Sequence, residues 1–437
     1  MRVAMDKLSD VLHGSPHFRC LLDLCTNKQA YLVGGAIRDA LIGRPLTDLD
    51  LIMPEDPTAL ARDFARHIGG HWFWLDQERR QSRVVVNRAD SCPDYDFALF
   101  RAPDLKRDLL DRDFTINALA LPLTKELPGS TLVDPCHGVK DLQRDSLRMI
   151  SEVSLRNDPL RIIKGVRHAT VLGLEIDCGT LSAMQVESSG LGRIAPERIR
   201  QEVWKILADT HAATGLQLLY KSGAGESLLG RGFARAIPVL TVRVESCRHE
   251  WQRLAESHPV VSAWLAQEIE QGLNKETLLL FSLLLASIDS ELPATLAEKW
   301  LLSRNTRAMI AAIAALDDDA QKAFATIARN ERAFAWWAAR RNLEPKLLLL
   351  ALAVVGSPEG HPSPAELRAW VPLVADLDDR RPMDLVDGNW MRKTLLLKDG
   401  PEMTKALQLL RTAEITGQVG NAQEAQRFLA RYYQNKH

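Results

Sequence analysis

The sequence predicts an α+β fold in which a mixed-sheet amino-terminal region precedes a long, almost wholly helical remainder. Residues 1–145 contain short β-rich runs separated by helical patterns, and strands mixed with helices form an α/β or α+β layer. From about residue 146 the strand signal nearly vanishes, and apolar residues recur at helical spacing. Of the 437 residues, 46% are apolar and 25% are charged, which is typical of folded globular domains rather than of a disordered chain.

Each element of the amino-terminal region follows from a local pattern. Four strands are predicted by apolar, β-branched runs at residues 30–33, 49–53, 82–86 and 95–100. Residues 58–68 carry a helical pattern between the second and third runs. The Arg- and Gln-rich residues 76–82 lie between two apolar strands and predict an exposed turn.

The remainder is predicted as helices with two interruptions. Apolar residues repeat with helical spacing at Ile162, Ile163, Val166 and Ala169, and again at Ile199, Val203, Ile206 and Leu207. Breaks fall at residues 222–225 and at the Pro/Gly-rich residues 356–364, which make a good domain boundary. The longest apolar stretch, residues 347–355, is shorter than the ~18 residues that span a bilayer. It therefore predicts a buried helix, and no membrane partner is expected.

Charge and cysteine content exclude several classes of protein. The 55 Lys and Arg residues balance 56 Asp and Glu residues, which excludes a globally basic nucleic-acid binder but leaves room for a local basic groove. The six cysteines make no CxxC pair, so a zinc ribbon or thioredoxin-like site has no support. Scattered thiols suit a reducing cytosol, and the first residues lack the apolar run of a signal peptide. A cytoplasmic location is expected.

The most informative segment is residues 32–52, where a strand runs into a Gly-Gly turn and a helix, and a DxD strand follows. Gly34 and Gly35 let the backbone approach a ligand closely, the helix start offers N–H donors to phosphate, and Arg38 can add charge to a triphosphate. Asp48 and Asp50 stand two apart on a strand and therefore share a face. Two carboxylates beside a phosphate site suit Mg²⁺.

Each half of this pattern has an ordinary explanation by itself. A Gly-Gly pair is commonly a simple turn, and a lone DxD is commonly a solvated strand edge. Together, with Arg38 between them, they indicate a nucleotide and metal site. Neither GxGxxG nor GxxxxGK[ST] occurs, which disfavours a Rossmann or P-loop site.

The GG…R…DxD arrangement resembles the nucleotidyltransferase superfamily with a DNA polymerase β-like head, and its spacing is close to class II tRNA nucleotidyltransferases (CCA-adding enzymes) and bacterial poly(A) polymerases. Further motifs continue the resemblance in the family's order, at residues 112–118, 134–142, 157–161, 197–202, and 384–388 with 400–401. The resemblance implies a catalytic head at 1–145, a base-recognising neck at 146–222, a body at 223–360 and a tRNA-binding tail at 361–437. Residues 240–355 match no motif.

The resemblance also implies roles for individual residues. It assigns catalytic or nucleotide-binding roles to Gly34, Gly35, Arg38, Asp48 and Asp50. It adds further residues to this set: Asp96, Arg112, Asp113, Asn117, Asp158, Arg161, Lys164 and Arg167. Arg112 and Asp113 would hold the ribose and nucleotide, and Asp111 departs from the family's usual first Arg. Asp96 would be a third acid that helps to activate the primer hydroxyl, although an ordinary solvated strand residue is an equal alternative.

The pair Asp158-x-x-Arg161 can select bases without a template. The spacing places the two side chains one turn apart on a helix face, where Asp accepts from the exocyclic amine of C or A while Arg donates to a ring nitrogen or carbonyl. G and U present inverted groups and are excluded. The ordinary alternative is a surface ion pair. Asn157 and Lys164 replace the family's usual Glu and Arg, and His168 replaces a usual Phe and is expected to be a packing residue.

The predicted function is therefore Mg²⁺-dependent, template-independent addition of nucleotides to the 3′ end of tRNA, from CTP and, for a complete CCA end, ATP. The acceptor and TΨC arms are the expected contacts, because residues 381–437 carry nine basic and six acidic residues. A poly(A) polymerase of the same fold and a catalytically silent RNA-binding protein are the alternatives. Oligomeric state is left open.

The place where addition stops is also predicted. Only ten residues separate Arg101 from Arg112, whereas relatives that finish the CCA end usually have a longer flexible loop here. The short connection predicts CC addition, unless the turn at residues 76–82 does the loop's work. The changes at Asn157 and Lys164 also favour CC addition, since a changed pocket helix can hold only one base geometry.

Overall fold

A computed structural model describes residues 12, 15–86, 93–124, 132–288, 292–316, 323–324, 326–355, 363–377 and 382–434. The chain divides into two compact units, Met1–Ile194 with Lys221–Ser227, and Ala195–Tyr220 with Leu228–His437. The first unit contains the predicted head and most of the predicted neck. The four-part division into head, neck, body and tail stays a prediction. The Pro/Gly-rich residues 356–362, at its body-to-tail boundary, lie outside the described residues.

The first unit is built on a six-stranded sheet. Its strands are β1 (Tyr31–Val33), β2 (Asp48–Met53), β3 (His71–Asp76), β4 (Gln81–Val85), β5 (Asp94–Leu99) and β6 (Ala120–Pro122). Its first helices are α1 (Pro16–Leu24), α2 (Gly35–Leu41), α3 (Thr58–Ile68), α4 (Leu105–Leu110) and α5 (Gly138–Leu142), with a 3₁₀ turn at Thr115–Asn117. The strand order is β3-β4-β5-β2-β1-β6. These bounds confirm the four predicted strands and the predicted helix, and the predicted turn at 76–82 joins β3 to β4.

One face of the sheet is covered and the other carries the acids. Tyr95 and Phe97 on β5 are fully buried and pack against Phe64 of α3, whose ring lies 4.7 Å from that of Tyr95. Alternation along β5 turns Asp94 and Asp96 to the opposite face. β2 pairs with β5 in parallel, and the other strand pairs of this sheet are antiparallel. The apolar burial behind β2 and β5 therefore fixes the direction in which the acids point.

Helices complete the first unit. They are α6 (Glu152–Asn157), α7 (Leu160–Leu172) and α8 (Cys178–Glu187), followed by a 3₁₀ segment at Ser188–Arg193, with the two-residue strands β7 (Ser146–Leu147) and β8 (Glu175–Ile176) paired beside them. The predicted inner face of α7 is buried, since Ile162, Ile163 and Val166 are fully enclosed. This confirms the helical pattern read from residues 162–169.

The second unit is almost entirely helical among its described residues. Its helices, including two that pass between the units, are α9 (Pro196–Ala208), α10 (Ala212–Lys221), α11 (Ala224–Leu229), α12 (Gly232–Ser257), α13 (Val260–Ala266), α14 (Lys275–Ile288), α15 (Leu292–Lys299), α16 (Arg304–Ala314), α17 (Glu331–Arg340), α18 (Pro345–Val355), α19 (Pro364–Ala375), α20 (Gly388–Leu395), α21 (Pro401–Ile415) and α22 (Ala422–Gln434), beside a short β9 (Glu268–Glu270) and β10 (Leu273–Asn274). The apolar run from Leu347 to Leu352 is buried in α18, as predicted. None of the described helices has the length and apolarity to cross a bilayer.

Candidate active site

Three predicted acids meet on the open face of the sheet. In the parallel register of β2 and β5, Asp48 pairs with Asp94 and Asp50 pairs with Asp96. Burial, and then the neighbouring Asp96 carboxylate, raise the pKa of Asp50. The sequence placed Asp48 and Asp50 on one face, and the sheet adds Asp96 beside them.

Arg83 is the site residue that sequence reasoning missed. It is the register partner of Asp96, and its Nε and Nη2 donate to the two oxygens of Asp96 at 2.7 and 2.8 Å. Its guanidinium also lies 3.6 Å from Asp48 and 3.8 Å from Asp94. The hydrogen bonds to Asp96 raise the pKa of Arg83, so the side chain is a permanent cation among the acids. Asp96 can act on a substrate only if it shares or releases this partner.

The Gly-Gly turn lies against the side chains of Arg112 and Asp50. Gly34 has a φ of +76°, and a Cβ there would lie 3.1 Å from Nη1 of Arg112 and 3.5 Å from Oδ2 of Asp50. A side chain at this position would meet both a strained backbone and the two functional groups. The absence of a side chain at Gly34 thus leaves room for Arg112 beside the β1–α2 turn, and Gly35 begins α2.

Arg38 is held in a polar network rather than left free. Its side chain is 9% exposed, and its Nε and Nη2 donate to the two oxygens of Asp39 at 2.9 Å. Its Nη1 donates to Oδ1 of Asn117 at 2.6 Å, and Nδ2 of Asn117 donates to Oδ1 of Asp113 at 3.0 Å. The network joins the two predicted motifs, because Arg38 follows the Gly-Gly turn while Asp113 and Asn117 belong to the segment after α4. These bonds to described residues use three of the five guanidinium hydrogens of Arg38 and leave two that a ligand could accept.

The short connection before Arg112 is an ordered helix. Asp104 caps α4 by accepting from the backbone N–H of Arg107 at 2.8 Å. Asp108, which is fully buried, accepts from the N–H of Arg101 at 2.7 Å and from Nη2 of Arg112 at 3.2 Å. One carboxylate therefore ties the beginning of the connection to its end. Nε of Arg112 is buried with no hydrogen-bond partner among the described residues.

The segment that was predicted to read the base differs in one respect from the expectation. Asp158 is not on a helix face: it lies between α6 and α7, and only Arg161 is helical. Pro159 causes this break, since the residue before a proline is driven from helical geometry. The two residues still form one turn, because the N–H of Arg161 donates to the carbonyl of Asp158 at 2.9 Å. Nη1 of Arg161 donates to the carbonyl of Arg112 at 3.0 Å.

One face of α7 turns toward the same network. Arg161, Lys164 and Arg167 recur every third residue and are all half-buried. Beside them His168 is buried, with its Nε2 lying 3.2 Å from Nη2 of Arg167 and 3.4 Å from Nδ2 of Asn117. The packing role expected for His168 is present in its edge contact with Phe114, and the polar contacts are an addition.

The motif at residues 134–142 contacts the backbone and side chain of Thr115. A Cβ on Gly138 would lie 2.1 Å from the carbonyl oxygen of Thr115. Asp134 accepts from the N–H groups of Gly138 and Val139, and Asp141 accepts from Oγ1 of Thr115 at 2.6 Å. The motif thus holds the backbone that carries Asp113 and Asn117.

The tail motif has a structural explanation. Asp384 accepts two hydrogen bonds from Arg411 at 2.7 Å, and Asp387 caps α20. Gly400 has a φ of +120° and precedes Pro401, the first residue of α21. These residues shape the helices of this part of the chain.

The acids fit a divalent cation that is shared with a substrate. Within the described ranges no three His, Cys, Asp or Glu side chains form a metal-binding group by themselves. Mg²⁺ commonly uses one or two carboxylates and completes its shell with water and phosphate oxygens. Asp50, half-buried beside Asp96 and with its pKa raised, carries a charge that a bound cation would stabilise.

Comparison with known proteins shows what the chain is similar to. A model of the poly(A) polymerase head domain matches residues 30–148, and a model described as a probable RNA- and SrmB-binding site of polymerase A matches residues 173–235. The CC-adding tRNA nucleotidyltransferase of Geobacter sulfurreducens is 31% identical, covering 92% of this chain and 91% of that protein. The A-adding tRNA nucleotidyltransferase of Deinococcus radiodurans is 32% identical, covering 92% and 95%.

Solved structures share the fold. A CCA-adding enzyme in complex with CTP superposes with a TM-score of 0.70 at 20% identity, and 98% of each chain is covered. The Thermotoga maritima CCA-adding enzyme complexed with tRNA gives a TM-score of 0.67 at 19% identity, again over 98% of each chain. The mixed-sheet head and helical remainder are thus a known architecture.

Proposed function

Because the chain belongs to the class II tRNA nucleotidyltransferase family, we propose that it transfers cytidylate from CTP to the 3′ end of tRNA, with release of pyrophosphate. The observation that carries the proposal is the register that sets Asp48, Asp50 and Asp96 on one face, with Arg112 beside Asp50 at the Gly-Gly turn. Both relatives that span nine-tenths of the chain are named for action on tRNA, which favours this function over poly(A) synthesis. The three acids favour it over a silent RNA-binding protein.

Asp48 and Asp50 are the proposed ligands of Mg²⁺. When bound, Mg²⁺ supplies charge stabilisation for phosphoryl transfer and for the leaving pyrophosphate. Asp96 lies beside Asp50 and is the proposed third acid, positioned to orient the primer hydroxyl once it shares its bond to Arg83. Arg83 meanwhile keeps the face from carrying four uncompensated carboxylates.

The nucleotide is proposed to bind between the Gly-Gly turn and α7. The backbone of Gly34 and Gly35, the two free hydrogens of Arg38, and the Arg112 guanidinium offer donors to phosphates and sugar. Asp113 and Asn117 complete the sugar site through the network that fixes Arg38. Asp158 and Arg161 are proposed to read the base edge, while Lys164 and Arg167 add positive charge on the same face of α7.

The proposed product is a CC end. The connection between Arg101 and Arg112 is a capped helix tied at both ends through Asp108, which supports a pocket that keeps one shape. Relatives of nearly equal identity are CC-adding and A-adding enzymes, so identity alone does not choose between products.

Contacts beyond the 3′ end follow the predicted division of the chain. The acceptor and TΨC arms are proposed to lie along the helical body and tail, whose carboxyl-terminal residues have a local excess of basic side chains. The cytoplasmic location stays a prediction, and oligomeric state is left open.

One incubation separates the candidate functions. The protein with Mg²⁺ is given a tRNA transcript that lacks its CCA end, with CTP or ATP supplied separately. The proposal expects addition of one or two residues with CTP and none with ATP alone on this transcript. Repeated AMP addition would instead identify a poly(A) polymerase, and no addition with either nucleotide would identify a silent protein.

A further inference from the structure

An exposed aromatic side chain lies in the same row as the acids. Phe73 is the register partner of Arg83, Arg83 that of Asp96, and Asp96 that of Asp50. Register partners on neighbouring strands project to the same face of a sheet. Phe73 therefore ends a row of four side chains that begins at Asp50. Three strand spacings of ~4.8 Å put it roughly 14 Å from Asp50 along the sheet surface.

The two faces of β3 differ in how far their side chains are packed. Trp72 and Trp74 pack edge to face at 5.0 Å, and Arg62 of α3 lies 4.2 Å over the Trp72 ring. Phe73, on the other side of the strand, is 42% exposed, and Leu75 is 44% exposed. Scattered exposed apolar residues need no explanation. Here Phe73 lies on an edge strand, on the side of the sheet where the acids lie, and Leu75 follows at the register shift between Trp74 and Asp76.

The charge of this face decides what can bind beside the acids. Asp48, Asp94 and Asp96 lie around the guanidinium of Arg83, and Asp50 lies beside Asp96 and the guanidinium of Arg112, so that four carboxylates face two guanidinium groups. Such a face repels the phosphates of an RNA strand. An aromatic ring offers attraction that does not depend on charge, because every base has a stacking face. The row thus combines a reaction centre with a nearby place to hold an unpaired base.

We propose that Phe73 is a stacking platform for an unpaired base near the 3′ end of the RNA substrate. This rests on the proposed function, since it takes the RNA 3′ end as the occupant of the acidic face. A span of roughly 14 Å is longer than the reach of the reacting nucleotide alone. The base that stacks is therefore one that precedes the terminal nucleotide.

The test uses the full-length protein and a tRNA transcript that ends in the first C of the CCA position, with 2-aminopurine at the unpaired nucleotide that precedes this C. Stacking on an aromatic side chain is worth ~1–3 kcal/mol per base, which corresponds to about 5- to 150-fold in binding. Phe73→Ala should raise KM for this transcript within that range and relieve the quenching of 2-aminopurine. KM for CTP should not change, and Phe73→Trp should restore both RNA readouts. Val186→Ala, which shortens an apolar side chain that is 74% exposed, is the matched control.

A salt titration separates stacking from phosphate contact. Because no cation is removed, Phe73→Ala should weaken binding equally at low and high salt and leave the slope of log K against log salt unchanged. If the wild-type enzyme is active and Phe73→Ala has the same KM for RNA and the same 2-aminopurine fluorescence, the proposed platform is wrong. The proposed function is not affected by that result. A wild-type protein that adds nothing to the transcript would instead overturn the proposed function. The proposed platform would also be wrong if Phe73→Ala lost the same factor of affinity for a blunt-ended transcript, since that RNA has no unpaired base.

Discussion

Asp50 and Asp96 lie side by side because they are register partners on the parallel strands β2 and β5. Burial and the Asp96 carboxylate raise the pKa of Asp50 above its ordinary value. A carboxyl group whose pKa is higher in the folded than in the unfolded protein contributes stability that is fully present below the unfolded pKa. That contribution is lost as pH rises through the folded pKa. Ionisation of Asp50 therefore costs the folded protein stability.

Asp50→Asn should therefore separate activity from stability. Without Mg²⁺, its unfolding temperature at neutral pH should equal or exceed that of the wild type, because the unfavourable charge is gone. Its incorporation of CMP into tRNA should fall below detection, as should that of Asp48→Ala. Thermal unfolding and a primer-extension assay measure the two effects. Asp63→Asn, on the exposed side of α3, is the control and should change neither.

Added Mg²⁺ gives a second readout of the same site. A ligand that binds only the folded state raises the unfolding temperature by mass action. The increase should be larger for the wild type than for Asp50→Asn. Near-wild-type turnover of either acid variant with Mg²⁺ would show that the assigned metal site is wrong.

Arg161→Ala should damage the choice of base more than the binding of the triphosphate. Its Nη1 donates to the carbonyl of Arg112 at 3.0 Å, which fixes the guanidinium beside the nucleotide-binding segment. Loss of one bidentate base contact costs ~1–3 kcal/mol of discrimination. Competition between CTP and UTP should therefore show increased UMP incorporation. Arg156→Ala, which removes a surface partner of Glu187, should keep the wild-type preference; an unchanged preference in Arg161→Ala would contradict the assignment.

The sequence predicted those parts of the site that depend on local pattern. Alternation along a strand places Asp48 and Asp50 on one face, and buried alternation on β5 turns Asp96 the same way. Arg83 could not be assigned, because its role arises from the β4–β5 register, which a sequence does not show directly. The signal was nevertheless present: Arg83 lies between buried Ser82 and Val84, so it faces the acids' side of the sheet.

The predicted position of Asp158 on a helix face was wrong. Residue spacing alone suggested a helix face, but Pro159 ends α6 and starts a new helix. The proline was visible in the sequence, and its effect on the preceding residue is general. The role of Gly138 is different again, because it depends on the approach of a distant backbone segment.

Gly138→Ala should destabilise the first unit strongly. The new Cβ would lie 2.1 Å from the carbonyl oxygen of Thr115 and 2.7 Å from its carbonyl carbon. Backbone atoms cannot move aside as a flexible side chain can, so the cost should reach or exceed the ~1–3 kcal/mol typical of overpacking. Chemical denaturation measures it. Gly192→Ala, where nothing lies within 4 Å of the new Cβ, is the matched control, and equal stability of the two variants would show that the packing at Gly138 is loose.

The last prediction concerns where addition stops. A pocket must change shape to accept A after two additions of C, and the segment from Arg101 to Arg112 has little freedom to help. Ten residues span at most ~35 Å when extended, and here six of them form α4, with Asp108 bonded to both Arg101 and Arg112. The β3–β4 turn, the alternative element that could reshape the pocket, lies beyond the Ser82–Phe97 pair, at the end of the sheet where β5 leads into this segment.

With CTP and ATP both present, the 3′ ends of product tRNA should therefore stop at CC. Sequencing of these ends gives the distribution directly. A transcript that already ends in CC, offered ATP alone, should gain no AMP, because its next step needs the altered pocket. Efficient terminal A on either substrate would overturn the CC assignment. In that case, stiffening the β3–β4 turn with Gln77→Pro should reduce A addition selectively if that turn reshapes the pocket, since a proline fixes one backbone angle and leaves the C-binding arrangement of α7 untouched.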